Sequence, residues 1–230
     1  MRRYANDRTY TWNNDTAYLA GLFTSDGCLS KDGRHLFMVS KDEEIIAATQ
    51  RITSKSAKPT IKAGQFGTTA YHFQFSDVAL YDFFLEAGIT PAKSKTIGVV
   101  SVPDLYYADF LRGYFDGDGT TYGYRDIRWK NSFMYYVGFV SASQEFLYWL
   151  QAQNRRLMQA TSGKISPRIR ASILLYAKAD SYKLFNAMYT PPPLFRLTRK
   201  YTKLRDFIID DPHAKITPDA RVLESVDRLA

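Results

Sequence analysis

The chain has 230 residues, of which 45% are hydrophobic, and a net charge of +8 at pH 7. This length can bury the core of one large domain or of two small ones. No apolar run is long enough to span a bilayer, the first residues lack the apolar stretch of a secretory signal, and the single cysteine, Cys28, excludes an intrachain disulfide and a cysteine zinc site. We therefore expect an intracellular protein of the cytoplasm, the nucleoid or an organelle, with no membrane partner.

The positive charge is unevenly distributed along the chain. From Asp206 to the end, six acids outnumber three bases, so that residues 1–205 carry a net charge of +11. A surface with this excess attracts polyanions, and nucleic acid is the commonest of them. Charge alone leaves open a basic protein without a nucleic-acid role.

The first half of the chain predicts the element order α-β-β-α-β-β-α. A helix that ends near Asp26 precedes a pair of strands, the second of them over 35–40, and a helix over 42–52 with apolar residues at helical spacing. Two strands follow over 59–64 and 70–75, joined by a turn that contains glycine. Ser76 and Asp77 can cap a last helix over 78–86, which stops at Gly88.

The second half repeats this order after a connector over 91–103. It predicts a helix over 104–115, a hairpin over 120–130 and 133–140, a helix over 143–158, strands over 164–170 and 172–176, and a helix over 179–188 that three prolines end. A basic helical stretch follows, with no acid between Leu194 and Arg205. We therefore expect an α+β fold of two repeats, residues 1–98 and 99–205, with an acidic tail over 206–230 whose order the sequence leaves open.

Two short segments share a pattern in which a helix ends with an acid and then a glycine. They read LAGLFTSDG at 19–27 and LRGYFDGDG at 111–119, and their acids, Asp26 and Asp118, lie 118 − 26 = 92 residues apart. Glycine inside a helix costs about 1 kcal/mol relative to alanine, and close packing is the best reason to accept this cost. Small residues at intervals of four give each helix a groove along which the two can pack. These residues are Ala17, Gly21, Ser25, Gly113 and Gly117.

The two acids predict a metal site. Gly27 and Gly119 are expected to end the helices in the left-handed conformation, which places Asp26 and Asp118 at helix C-termini, where the dipole is negative. Packed helices would also bring the carboxylates together, so we expect a cation between them. Mg²⁺ prefers such oxygen ligands, and metal ions facing a polyanion indicate phosphodiester hydrolysis. A lone aspartate at a helix end would more often be a solvated surface acid.

The paired segments resemble the two signature motifs of the LAGLIDADG homing endonucleases, in their single-chain form. The resemblance implies a pseudo-twofold monomer with the motif helices packed at its centre and two four-stranded antiparallel sheets that form a DNA-binding saddle. It implies a double-stranded DNA partner with a long asymmetric target site, cut on both strands to leave short 3′ overhangs. Asp26 and Asp118 would bind two or more Mg²⁺ ions, and the backbone carbonyls of Ser25 and Gly117 would lie close enough to contribute.

The resemblance also implies a basic or amide residue near the metals, which polarises water or stabilises the transition state. Lys41, directly after the strand over 35–40, matches such a position. Its counterpart in the second half is near Ala142, which cannot do this work. Lys93 and Lys95 in the connector are the next candidates, and for each lysine the alternative is a solvated surface cation.

DNA contacts are expected from strand residues that face the groove, because Arg and Lys suit guanine and Asn or Gln suits adenine. The candidates in the first half are Lys31, Arg34, Lys62, Gln65 and His72. Those in the second half are Tyr124, Arg125, Arg128, Lys130, Lys164, Arg168 and Arg170. A slip of one residue in register would exchange the two faces of a strand. Phosphate contacts, which carry no sequence information, are expected from Arg199, Lys200 and Lys203.

The leading hypothesis is a Mg²⁺-dependent, site-specific endonuclease for double-stranded DNA. An RNA-splicing maturase and a DNA-binding regulator without cleavage, both on the same fold, are the alternatives. The regulator is disfavoured because a pure binder would gain nothing from two crowded carboxylates. The maturase is not excluded, since a basic surface would also serve RNA.

Overall fold

The structure is a computed structural model that describes residues 9–63, 69–125 and 133–211. In these residues the α-helices are α1 (Asn14–Ser25), α2 (Glu43–Thr53), α3 (Val78–Glu86), α4 (Tyr107–Asp118), α5 (Gln144–Met158), α6 (Lys178–Tyr189) and α7 (Thr198–Ile209). The strands are β1 (Gly27–Leu29), β2 (His35–Ser40), β3 (Thr60–Ala63), β4 (Thr69–Ser76), β5 (Gly119–Arg125), β6 (Phe133–Ser141), β7 (Lys164–Pro167) and β8 (Ser172–Ala177). The predicted DNA contacts Gln65, Arg128 and Lys130 lie outside the described residues.

The two halves of the chain have the same topology, so the predicted repeat of α-β-β-α-β-β-α is confirmed. The first sheet has the strand order β1-β2-β4-β3, the second has the order β5-β6-β8-β7, and every pairing in both is antiparallel. Each sheet begins directly after a motif helix, with β1 starting at Gly27 and β5 at Gly119. The motif acids therefore lie where helix meets sheet.

Local capping explains where several helices begin. The Asn13 and Thr16 side chains form a reciprocal capping box at the start of α1. Asp77 accepts a hydrogen bond from the Leu80 backbone N–H at 3.0 Å at the start of α3, and Ser143 caps α5 in the same way. Of the two caps predicted for α3, Asp77 is therefore the one that the structure shows.

Two helices differ from the sequence prediction by three residues or more, and strand β7 stops at Pro167 rather than at 170. The segment Asp104–Tyr106 forms a 3-10 turn, and α4 runs from Tyr107 through to Asp118 rather than stopping near Phe115. Helix α7 continues to Ile209, past the position where the acidic tail was expected to start. An apolar residue every three or four positions, Tyr201, Leu204 and Ile208, buries one side of this helix and explains its length.

The core lies between the helices and one face of each sheet, and it is rich in aromatic side chains. In the first repeat Phe23 of α1 packs on Phe75 and Phe84, and in the second Phe115 of α4 packs on Phe139. Burial of one such side chain contributes about 2–3 kcal/mol. A search of the described helices finds none with the length and apolar character needed to cross a membrane.

Candidate active site

The motif helices α1 and α4 touch through their glycines. A Cβ atom placed on Gly21 would lie 2.1 Å from the Phe110 carbonyl oxygen, and one on Gly113 would lie 2.0 Å from the Tyr18 carbonyl oxygen. These two contacts are reciprocal, because Gly113 follows Gly21, and Phe110 follows Tyr18, at the same interval that separates Asp118 from Asp26. The predicted groove of small residues is therefore the surface through which the helices pack.

The same packing continues to the motif acids. A Cβ atom on Gly117 would lie 1.9 Å from the Ser25 hydroxyl oxygen and 3.3 Å from a carboxylate oxygen of Asp26. Backbone and side chains of the two helices thus meet directly beneath the acids. This contact fixes the C-terminal end of one motif helix against that of the other.

The predicted left-handed ends of the motif helices are wrong. Gly119 has a φ of −76°, and the described glycines with a positive φ are Gly33 and Gly88, so neither Gly27 nor Gly119 is in the left-handed conformation. Close approach requires glycine instead. A Cβ atom on Gly27 would lie 2.5 Å from the Phe23 ring, and one on Gly119 would lie 2.3 Å from the Phe115 ring. At each motif the backbone therefore passes from helix to strand in a tight turn over an aromatic ring.

Asp26 and Asp118 lie exposed at the adjoining ends of the two helices. Among the described residues, neither carboxylate has a hydrogen-bond or ion-pair partner. The surrounding chain still displaces enough water to raise the pKa of both groups, and with the added charge of Asp118 the pKa of Asp26 reaches about 6. Two carboxylates that repel each other at neutral pH are a natural site for a cation.

Two buried lysines flank these acids. Lys93, in a 3-10 turn after α3, donates from its Nζ atom to the Gly27 carbonyl oxygen at 2.5 Å. Lys200 of α7 donates to the carbonyl oxygens of Phe115, Gly117 and Gly119 at 2.6 to 2.8 Å. Burial lowers the pKa of both lysines, that of Lys200 to about 8. Asp116 opposes the shift at Lys200 most strongly, and Asp26 and Asp118 oppose it at both lysines. Each motif therefore ends with its terminal glycine carbonyl held by a lysine.

The surface role predicted for Lys200 is therefore wrong, because three carbonyl groups at the end of α4 hold its ammonium group inside the protein. The sequence analysis selected Lys200 as a phosphate contact and did not place it beside the motif acids. Lys93 and Lys200 each follow the last helix of their repeat. From this shared position the two lysines could have been predicted as counterparts. Lys41 is exposed after β2 and lies next to Asp42. Its proposed part in catalysis stays a prediction.

The donor atoms present suit a hard divalent cation. Asp26 and Asp118 offer carboxylate oxygens, and the Gly117 carbonyl oxygen lies beside them with one hydrogen bond from Lys200. Within the described residues no group of three or more His, Cys, Asp or Glu side chains forms a separate metal cluster. An all-oxygen set of this kind suits Mg²⁺ or Ca²⁺ better than a softer ion.

A family model described as a LAGLIDADG-like domain matches residues 105–160, which include the second motif. The fold is similar to that of the homing endonuclease I-WcaI bound to its DNA recognition sequence, with a TM-score of 0.62 and 15% identity over 84% of this chain and 88% of that one. The architecture of this chain is therefore that of the LAGLIDADG endonuclease fold. A comparison with curated proteins gives no match.

Two further solved structures share this fold. The homing endonuclease I-LtrWI bound to target DNA has a TM-score of 0.55 and 10% identity over 91% of this chain and 94% of that one. Full-length DUF199/WhiA from Thermatoga maritima has a TM-score of 0.57 and 11% identity over 96% of this chain and 68% of that one. At these identities the similarity establishes the architecture, while the chemistry depends on the residues of this chain.

Those predicted DNA contacts of the first repeat that the structure describes lie on or beside the open face of its sheet, which is the face away from the helices. Lys62 and His72 are on this face, and Lys31 and Arg34 are exposed in the turn between β1 and β2. The open face also carries Gln74, which is exposed opposite Phe37 and which the sequence analysis did not select. Strand alternation, once the register is known, identifies it.

In the second repeat the structure separates the predicted contacts. Lys164 lies on the open face of the sheet, and Arg168 and Arg170 are exposed in the turn between β7 and β8. The prediction for Arg125 as a groove-facing residue is wrong. Its guanidinium lies 5.8 Å from the centre of the Phe133 ring, on the side of the sheet where Phe133 packs on Phe207 of α7. Tyr124 and Arg125 are adjacent in β5, so their side chains point to opposite faces of the sheet, and Tyr124 is the one on the open face.

The remaining basic candidates lie on α7. Arg199 forms a bidentate ion pair with Asp42, with both N–O distances at 2.7 Å. Lys203 is exposed, with its ammonium 5.7 Å from the centre of the Phe207 ring. The phosphate contacts predicted for these two residues stay predictions.

Proposed function

We propose that this chain is a site-specific homing endonuclease that hydrolyses both strands of duplex DNA with the help of divalent metal ions and leaves short 3′ overhangs. The observation that carries the proposal is the pair of carboxylates at the junction of the two packed motif helices, Asp26 and Asp118, which have no hydrogen-bond or ion-pair partner within the described part of the chain. A protein that only bound DNA would gain nothing from this repulsion. The double-stranded DNA partner, the long asymmetric site and the monomeric state belong to the same proposal.

Each part of the site has a distinct role in the proposed reaction. Asp26 and Asp118 would hold the ions, with the Gly117 carbonyl and the Ser25 carbonyl as further ligands. Bound Mg²⁺ would supply charge stabilisation at the scissile phosphates and at the leaving oxygens. Lys93 and Lys200 fix the backbone next to each aspartate, and their positive charges favour the anionic transition state. The open sheet faces, which begin at these same residues, would align the duplex.

Binding of nucleic acid without cleavage is the second candidate function, because the fold also occurs in DUF199/WhiA. The LAGLIDADG fold is thus found in a protein not described as an endonuclease. A regulator that binds DNA without cutting it, or a maturase that binds intron RNA, would use the same basic surface. The retained carboxylates favour cleavage over the regulator.

The proposal is tested by incubating the protein with a randomised duplex library, with and without Mg²⁺, and sequencing the ends that appear. We expect cuts at one family of related sites, dependent on Mg²⁺ and with 3′ overhangs. No cleavage at any site, together with tight binding to a structured RNA, would overturn it in favour of the maturase.

The carboxylates are tested by Asp26→Asn and Asp118→Asn. Either change should abolish double-strand cutting and leave duplex binding largely intact, because the amide cannot neutralise or hold the metal as a carboxylate does. A matched control is Asp104→Asn, an exposed acid just before the opposite end of α4 that pairs with Arg156. It should cut as the wild type does. If either motif variant cuts both strands at the wild-type rate, the metal assignment is wrong.

A further inference from the structure

The open face of the second sheet is unusually apolar for a surface that would contact DNA. Strand alternation places Tyr122 and Tyr124 of β5, Tyr136 and Val140 of β6, and Leu175 of β8 on this face. Their sequence neighbours Val137, Phe139 and Tyr176 are buried on the helix side. Among the described residues of the open face, Lys164 is the one charged side chain, and none is Arg, Asn, Gln or His.

The tyrosines form a stacked row that remains open to solvent. The Tyr122 and Tyr136 rings have their centres 5.0 Å apart and are nearly parallel, and Tyr124 stacks on the other side of the row at 6.2 Å from Tyr136. Tyr122 and Tyr124 are 40% and 46% exposed. Stacking restrains the rings in one orientation, so they present their edges as a fixed surface.

Next to this row, apolar side chains close over Gly138. A Cβ atom on Gly138 would lie 2.9 Å from the Ile173 side chain, 3.0 Å from the methyl of Thr120 and 3.2 Å from the Leu175 side chain, so these neighbours already fill the space above the glycine. Their methyl groups extend the apolar surface of the open face and offer no hydrogen bond to a base edge.

The first sheet has a different chemistry at equivalent positions. Its open face carries His35, His72, Gln74 and Lys62, all of which can hydrogen-bond to base edges. Gln can bind adenine with two hydrogen bonds in the major groove. The two sheets share one topology but offer different groups to a ligand.

We propose that the second sheet recognises its DNA half-site through the 5-methyl groups of thymine, whereas the first sheet reads hydrogen-bonding base edges. This inference rests on the proposed function, since it assumes that the two open faces hold duplex DNA. The occupant is assigned as DNA because β5 starts one residue after Asp118, so the face is continuous with the proposed cleavage site. In the major groove the thymine methyl is the apolar group that distinguishes one base, and apolar side chains are its partners.

The test selects bound duplexes from two randomised libraries with Mg²⁺ omitted, one made with thymine and the other with deoxyuridine, which lacks only the methyl. We expect thymine to be enriched in one half-site of the first library. The enrichment should disappear in the second, with about a fourfold loss of affinity for each methyl buried. The other half-site should keep its preferences in both libraries. Gln74→Ala should change that other half-site and so assign it to the first sheet.

Variants of the tyrosine row separate methyl contact from hydrogen bonding by the hydroxyls. The double variant Tyr122→Ser with Tyr124→Ser should remove the preference for thymine over deoxyuridine, and both positions are exposed enough for the fold to persist. The double variant Tyr122→Phe with Tyr124→Phe keeps the ring edges and should retain the preference. Loss of the preference in the Phe variant would overturn the inference, because the hydroxyls would then be the reading groups.

The remaining outcomes distinguish this inference from the proposed function. If the protein cuts specific sites, and its half-site preferences are the same with thymine and with deoxyuridine, methyl recognition is wrong and the endonuclease stands. If no duplex is selected and a structured RNA binds tightly, both are wrong, and the tyrosines stack on unpaired bases instead.

Discussion

Asp116 shows how two acids on one helix can have opposite environments. Asp118 is exposed at the end of α4, whereas Asp116 is buried, and one of its carboxylate oxygens accepts hydrogen bonds from the Tyr18 hydroxyl and the Leu197 backbone N–H, both at 2.8 Å. Asp116 therefore belongs to the interior of the protein. The residue joins α4 to α1 and to the segment that delivers Lys200.

Burial makes Asp116 a source of pH-dependent stability. It raises the pKa of the carboxyl from 3.8 to about 6, so the folded state holds the proton more tightly than the unfolded state. The wild type therefore loses stability as the pH rises from about 4 to about 6. Asp116→Asn keeps an oxygen for both hydrogen bonds and carries no charge. Its free energy of unfolding should rise relative to wild type over this interval, by at most about 3 kcal/mol, as urea titrations at several pH values would measure.

The control is Asp116→Ala, which removes the acceptor of both hydrogen bonds. It should be about 2–3 kcal/mol less stable than Asp116→Asn at every pH. A difference between Asp116→Asn and wild type that does not change with pH would show that the buried carboxyl does not titrate in this interval.

For individual residues, the sequence predicts which side chains are functional better than it predicts where they lie. The acids Asp26 and Asp118 could be predicted as neighbours because a matched motif surrounds each. The only sign of the lysine pair in the sequence is the matched place of Lys93 and Lys200 after the last helix of each repeat. Lys200 reaches Gly119 because α7 packs on the second repeat. A contact between residues 81 positions apart depends on tertiary structure and leaves no local periodic signal.

Among the elements, the pair formed by α1 and α4 decides the geometry of the site. Gly21 and Gly113 allow backbone to touch backbone, and this contact sets the separation of the two motif acids one to two turns further along. The sequence analysis predicted this packing from the spacing of small residues. It misjudged the terminal glycines, because a glycine after a helix also fits a tight turn over an aromatic ring, and sequence does not distinguish the two.

Gly21→Ala and Gly113→Ala should each lower stability by about 3 kcal/mol or more, because the added methyl would overlap a carbonyl oxygen of the partner helix. In an ordinary helix the same change would stabilise the protein by about 1 kcal/mol, so the sign is diagnostic. Ala47→Gly, on the exposed side of α2, is the control. It should cost about 1 kcal/mol and leave cleavage unchanged. A thermal midpoint for Gly21→Ala at or above the wild-type value would contradict the contact.

In the whole molecule, one topology occurs twice with different surfaces. Binary alternation predicted both sheets, because the buried face of each strand repeats every second residue. It did not predict which residues lie on the open faces, because this depends on the register to within one residue. The observed register puts Arg125 on the helix side and Gln74 on the open face. The open faces are nevertheless the part of the chain that would determine which DNA is bound.

The duplex, if held by the open faces, must cover Cys28. This residue is the chain's one cysteine, it is exposed on β1 opposite Phe37, and it lies two residues after Asp26. Bound DNA should therefore slow alkylation of Cys28 by N-ethylmaleimide in proportion to the fraction of protein that is occupied, as mass spectrometry would measure. Cys28→Ser should show no labelling. Alkylation at an unchanged rate when binding is saturated would mean that DNA occupies another surface, and the saddle would then not be the binding face.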